Sequence, residues 1–230
     1  MSGFFNDTIA AAATPMARSA IGILRLSGPG AVEAVSAVFQ PKNGRPLAGC
    51  GPHRLVCGTL FDAAGRPIDQ ALATFSRAPD SYTGEDTAEL QCHGSPAVLA
   101  LGLEALFAQG ARQAGPGEFT RRAFLNGKLD LTQAEAVADL IDAETPAAAR
   151  VAALQLSGAL SRRVEAVYSL LANLTAHFCA VLDYPDEDLD PFRAETMERT
   201  LDEARSALRA LLDTYRRGRG LVRGVPCAIV

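Results

Sequence analysis

The texture of the chain changes near Phe119, and that change limits its possible folds more than any single motif does. Before Phe119, short apolar runs are punctuated by glycine and proline. After it, Ala, Leu, Arg and Glu dominate and apolar residues recur at steps of three and four. A strand buries every second residue and a helix every third or fourth, so the two textures need different packing partners. The expected architecture is an α+β unit followed by an all-α unit.

In the first part, Ile9 to Ala13 and Ile21 to Leu26 are short apolar runs bounded by Pro15 and by Gly28-Pro29-Gly30, the pattern of buried strands. Ala31 to Phe39 sets Val32, Val35, Val38 and Phe39 on one helical face, and the Pro41 to Pro46 stretch ends it. His53 to Phe61 and Ile68 to Phe75 flank Asp62-Ala63-Ala64-Gly65-Arg66-Pro67, a hairpin connection by composition. Thr87 to Cys92 reads as another strand. Ser95 and Pro96 read as the cap and first residue of a helix that reaches Gln109-Gly110. Strands outnumber helices and hairpins intervene, which predicts a sheet with helices packed on it rather than regular βαβ repeats.

In the second part, Thr132-Gln133-Ala134-Glu135 has the spacing of a capping box, and Thr145-Pro146 opens a further helix. From there Val151, Leu154, Leu160, Val164, Val167, Leu171, Leu174, Phe178 and Val181 mark one long apolar face, repeated by Met197, Leu201, Ala204, Leu208, Leu211 and Leu212. Two long helices joined by the acidic turn Asp183 to Asp190 cannot close a bundle core, so the missing helices are expected from elsewhere. Val225 to Val230 is strand-like and needs sheet partners, as the first strand of a further domain does. The boundaries expected on this basis are 1–118, 119–222 for an incomplete helical domain, and 223–230.

With 230 residues, 48% of them hydrophobic, the chain can bury one or two ordinary cores. Its apolar stretches read as too short for the roughly 18 residues of a membrane helix, and its N-terminus lacks the basic flank of a signal peptide, so a soluble, cytoplasmic protein is expected. Five cysteines with no C-x-x-C pair argue against a disulfide framework and a zinc site. A net charge of −4 offers a phosphate backbone no general attraction, so any RNA contact is local or shared. The local basic features are Arg121, Arg122 and Lys128, then Arg216, Arg217, Arg219 and Arg223; such runs are usually solvated helix ends, since cations suit the negative end of a helix dipole. The Asp183 to Asp190 turn is read as solvated rather than as a cation site.

A phosphate-binding loop needs Gly-x-x-x-x-Gly-Lys followed by Ser or Thr, because backbone amides cradle the phosphates and the hydroxyl holds magnesium. No segment fits. Gly127-Lys128 is followed by Leu129, and Arg122 stands where the first glycine belongs.

The segment Pro116 to Ala136, PGEFTRRAFLNGKLDLTQAEA, resembles the tRNA modification GTPases of the MnmE or TrmE family almost position by position. So do Asp7-Thr8-Ile9-Ala10 with Thr14-Pro15, Gly22-Ile23-Leu24-Arg25-Leu26-Ser27-Gly28, Tyr82-Thr83-Gly84-Glu85-Asp86-Thr87-Ala88-Glu89-Leu90, Ala138 to Ala143 and Asp183 to Asp188. The chain departs from the family's pattern at Cys92 and Ser95, where glycine is common, and at Met16-Ala17, where Pro-Gly is common.

The resemblance implies a tetrahydrofolate-binding, aminomethyltransferase-like N-terminal domain that pairs with a second copy in a homodimer. It implies 5-formyltetrahydrofolate as cofactor, with Arg25, Glu89 and Lys128 as its binding residues. One carboxylate can accept a pterin's donor pair, while carboxylate and formyl oxygens favour Arg or Lys. The parent protein is expected to join an FAD-containing partner, MnmG, and place an aminomethyl-type group at C5 of the wobble uridine of tRNA. GTP, magnesium and potassium belong, on this reading, to a GTPase domain outside these residues, and no catalytic or metal-ligating set is assigned to the chain itself. His93, in Gln91-Cys92-His93-Gly94, either approaches the folate or caps local structure. Two other readings stay open: a stand-alone folate-dependent aminomethyltransferase, and a non-catalytic dimerisation scaffold.

Overall fold

The computed structural model describes residues 5–184 and 193–223, with side chains through residue 214. The chain forms two compact units, 1–129 and 130–230. The expected division at 118/119 lies too early. The helix that begins there, α3 (Glu118–Leu125), buries Arg122 and Ala123 within the first unit.

The first unit contains β1 (Ile9–Ala12), β2 (Ser19–Ser27), α1 (Ala31–Val38), β3 (Phe39–Pro41), β4 (Val56–Phe61), β5 (Pro67–Ser76), β6 (Thr87–Gly94), α2 (Pro96–Ala108), β7 (Arg112–Gln113) and α3. Its strands form one seven-stranded sheet in the order β3-β4-β5-β6-β2-β1-β7. All neighbours are antiparallel except β1 and β7. This is the α+β arrangement expected.

Side-chain alternation then sorts the two faces. Leu24 and Leu26 of β2, Ala88 and Leu90 of β6, and Ala73 and Phe75 of β5 point inward to one cluster. There they meet Val32, Val35 and Val38 of α1 and Leu99 and Leu106 of α2. Helices α1 and α2 therefore cover this face. The other face presents rows of register partners: Ala11, Arg25, Glu89 and Thr74 in one, and Ile23, Gln91, Leu72 and Cys57 in the next.

The second unit contains α4 (Leu131–Ile141), α5 (Pro146–Leu156), α6 (Ala159–Asp183) and α7 (Ala194–Arg223). The cap of α4 is Asp130 rather than Thr132. Its Oδ1 accepts from Gln133 N at 2.9 Å while Gln133 Oε1 accepts from Asp130 N at 2.9 Å. An aspartate-led box two residues upstream outcompetes the threonine-led one because a carboxylate is the stronger acceptor. Thr145 caps α5 as expected, accepting from Ala148 N at 3.1 Å. The single long helix expected from Pro146 is two, because Gly158 adopts φ 78 and the ladder breaks at Ser157-Gly158.

Only small residues bury well in this unit among the described ones: Ala136, Ala148, Ala152, Val167 and Ala204. Leu154, Val164, Leu182, Leu201 and Leu212 stay exposed. The expectation that apolar runs fall short of a membrane span needs correction at α6, whose most apolar window has a mean hydropathy of 1.3. No Asp, Glu, Lys or Arg lies between Glu165 and Asp183. Core helices of bundles meet the same criterion, so length and composition decide nothing here. The acidic turn beyond Tyr184 and the strand-like run from Val225 lie outside the described residues.

Candidate functional site

Strands β2 and β6 bring Arg25 and Glu89 into register, and Arg25 Nε donates to Glu89 Oε1 at 2.7 Å. Their side chains keep 36% and 26% of their surface exposed. Among the described residues this is the one hydrogen bond either side chain makes, which leaves the guanidinium's outer edge and Glu89 Oε2 available. Tyr82 and Phe119 stand beside them, each ring centroid 6.0 Å from Arg25 Cζ, and Tyr82 Oη is 3.0 Å from Thr120 Oγ1. A cationic fork, a carboxylate and two rings on an open sheet face can bind a flat heteroaromatic with donor groups at one end and carboxylates at the other.

Lys128 packs against the 79–86 loop. Its Nζ donates to Pro79 O at 3.0 Å, and its stem lies against Gly84, where a Cβ would come within 3.1 Å of Lys128 Cγ. Gly84 has φ 76, so both backbone conformation and the close approach favour glycine. Asn126 Nδ2 donates to Thr83 O at 2.8 Å and ties the same loop to the end of α3. Of the three residues read from sequence, the structure pairs Arg25 with Glu89 and gives Lys128 a separate backbone partner.

Next to the open pair, the loop and α3 close over the end of β2. Ser27, two residues beyond Arg25, is fully buried; its Oγ lies 2.6 Å from Thr83 Oγ1 and donates to Glu85 Oε2 at 2.6 Å. Arg122 is the largest fully buried side chain in the molecule's described part. Its Nη1 donates to Asp7 O at 3.0 Å and to Glu85 Oε2 at 3.1 Å. Its Nη2 donates to Asp7 Oδ1 at 2.8 Å and Glu118 Oε1 at 3.2 Å, and its Cζ lies 4.3 Å from the Phe5 ring centroid. Arg122 Nε alone has no partner. The reading of Arg122 as part of a solvated or RNA-facing basic run is corrected by this burial. The signal missed was the set of carboxylates at Asp7, Glu85 and Glu118, which are far apart in sequence.

Arg112 completes the cluster with Nη2 to Glu118 Oε1 at 2.6 Å and Nε to Asp7 Oδ2 at 2.6 Å. Its hydrogen bonds hold the Glu118 carboxyl down at about 2 against the opposing effect of burial. Burial also works to raise Asp7, but bonds and charge from Arg112 and Arg122 outweigh it, leaving that carboxyl below its usual range.

His93 lies on the open face four residues past Glu89. Asp69 Oδ2 accepts from His93 N at 2.7 Å, and His93 Nδ1 is 2.8 Å from Asp69 Oδ1. The ring is therefore oriented by Asp69 and does not cap α2, whose cap Ser95 makes no side-chain bond. Asp69 is lowered because the contacts to His93 overcome its burial. The Cys92 thiol, buried on the opposite face, is pushed up to about 11 by burial and by the Asp69 charge. Arg216, Arg217, Arg219 and Arg223 fall in the last turns of α7, whose side chains lie outside the described residues.

Two family models match the chain along nearly its whole length: GTP-binding protein TrmE N-terminus over residues 8–128, and MnmE helical domain over residues 131–226. The chain belongs to the MnmE/TrmE family. A tRNA modification GTPase MnmE from Thermus thermophilus is 49% identical over 226 residues, covering 98% of this chain and 51% of that protein. One from Carboxydothermus hydrogenoformans is 45% identical over 225 residues, covering 97% and 49%, and one from Aquifex aeolicus is 43% identical over 225, covering 98% and 49%. The chain thus spans about half the length of the curated relatives it matches. The boundary between the two family domains, 128 to 131, coincides with the division into compact units.

Proposed function

We propose that this chain is the folate-binding and dimerising part of a tRNA modification GTPase. The whole protein, with the FAD-containing partner MnmG, would place an aminomethyl-type group at C5 of the wobble uridine of tRNA in the cytoplasm. GTP hydrolysis, with magnesium and potassium, belongs to the half of the relatives that this chain does not span. A tetrahydrofolate derivative, 5-formyltetrahydrofolate, supplies the one-carbon unit when bound.

The observation that carries the reading is the half-exposed Arg25–Glu89 pair with its free donor and acceptor edges, on an open face flanked by Tyr82 and Phe119. That donor set fits a folate. Glu89 accepts from the pterin edge, Arg25 and Lys128 attract carboxylate or formyl oxygens, and Tyr82 and Phe119 exclude water from one side. Glu89 then fixes the orientation of the ring, and Arg25 holds Glu89 in the required rotamer through its Nε. Calorimetric titration with 5-formyltetrahydrofolate tests this. Binding should occur and weaken at least about ten-fold, about 1.4 kcal/mol, in Arg25→Ala and in Glu89→Ala. Absence of binding, or affinity unchanged in both variants, overturns the assignment.

A further inference from the structure

A second concentration of charge lies at the β3 edge of the sheet. There a cleft of about 810 Å³ is lined by Lys42, Asn43, Arg45, Arg54 and Cys57 among others, with three cations and no carboxylate. We infer that this cleft binds the phosphodiester backbone of RNA, which deepens the proposed function and rests on its reading of tRNA as the substrate.

The cations are free to do so. Arg25, Arg66, Arg77, Arg112 and Arg122 are each held in ion pairs, whereas among the described residues none of Lys42, Arg45 and Arg54 forms one. Lys42 Nζ gives one bond to Gln70 Oε1 at 2.9 Å, leaving two of its three donors for a ligand.

Their backbone is held firmly. Leu47 is buried in the core and pins the short 3₁₀ turn Leu47–Cys50. Lys42 N donates to Cys57 O at 2.9 Å, and His53 N donates to Phe75 O at 2.8 Å. His53 adopts φ 58, a left-handed conformation that a non-glycine residue rarely takes and that clusters at functional loops.

The donor chemistry separates a polyanion from a small phosphate. Small-phosphate sites use a cradle of unbonded backbone amides. Here the amides of Lys42, Arg45 and Gly49 are all consumed internally. The three cations are spread along the cleft rather than gathered on one point, the pattern of sequence-independent backbone contact. With the chain's net charge at −4, such contact has to be concentrated rather than general. Three strand spacings separate β3 from β6, roughly 15 Å, so the cleft and the Arg25–Glu89 pair are distinct positions on the sheet.

The test is fluorescence anisotropy of labelled tRNA with the full chain across about 50 to 300 mM salt. A Lys42→Gln, Arg45→Gln, Arg54→Gln triple variant should bind at least about ten-fold more weakly, with a salt slope shallower by about 2 to 3. A charge-matched triple in the helical unit, Arg150→Gln, Arg199→Gln, Arg209→Gln, should change affinity less than about two-fold. Three results overturn the inference: wild-type affinity and slope in the first triple, equal weakening by both triples, or displacement of tRNA by micromolar inorganic triphosphate. If the wild-type chain binds no tRNA at low salt, the reading of tRNA as its substrate falls as well, whereas an unaffected first triple removes the cleft alone. Folate titration of the same samples should be unchanged, which shows that the variants fold.

Discussion

Arg25 and Arg122 are the same residue type facing carboxylates at adjacent ends of one sheet face, yet they differ in almost everything that sets their role. Arg122 has no exposed surface and makes bonds to Asp7, Glu85 and Glu118. Arg25 makes a single bond to Glu89 and keeps about a third of its side chain in solvent. A buried guanidinium whose donors are almost all used can hold a fold together but has nothing left to offer a ligand. A half-exposed one with a free edge contributes little to stability and much to recognition. Burial and remaining hydrogen-bonding capacity, more than residue identity, separate the two.

The comparison breaks most decisively at Arg122. Replacing it by Met leaves Glu85 and its neighbours as uncompensated buried charge and should cost about 3–5 kcal/mol in urea unfolding of the first unit. Arg122→Lys, which keeps the charge but loses the fork, should recover only part of that. A cost below about 1 kcal/mol for Arg122→Met would remove the distinction.

Acid titration comes next. Glu118 ionises at about 2 in the folded chain, against an ordinary value of 4.5. A depressed carboxyl stabilises fully above its unfolded value and loses that contribution as pH falls toward the folded one. Stability should therefore drop between about pH 4.5 and 2, by about 2 kcal/mol after allowance for the half-exposed Arg112 partner. Glu118→Gln should flatten that slope; an unchanged slope would assign the acid sensitivity elsewhere.

On the other side of the comparison, Arg25→Ala should shift stability by less than about 1 kcal/mol while abolishing most folate affinity. Lys128→Ala, which removes one exposed bond to Pro79 O, should alter stability by no more than about 0.5 kcal/mol. Large losses of stability in either would place these residues with Arg122.

Strands β1, β2, β4, β5 and β6, α1, α2 and the cap at Thr145 were legible from local pattern because each depends on residues within one element, whereas the short edge strands β3 and β7 were not, Phe39 having been assigned to the preceding helix. Gly158 was passed over because the apolar periodicity runs on through it, and a φ of 78 leaves no trace in spacing. Arg122 read as surface charge because its partners Asp7 and Glu85 are 115 and 37 residues away, and only tertiary folding discloses a buried network. Arg25 and Glu89 came to notice through the family resemblance. Their pairing is a matter of register between β2 and β6, which are distant in sequence. The cleft at Lys42, Arg45 and Arg54 had no motif at all; a turn and a strand entry created it.

Of the seven strands, β6 is the fourth and β2 lies beside it, so Arg25 and Glu89 are mounted where strands are bonded on both edges. Amide hydrogens there open to solvent only with the most extensive unfolding of the unit. On the proposed reading, the side chains that meet the folate should move far faster than the backbone that carries them. In deuterium-exchange measurements, ligand arrival should register in the 79–86 loop and the start of α3, and leave β2 and β6 as slow as before.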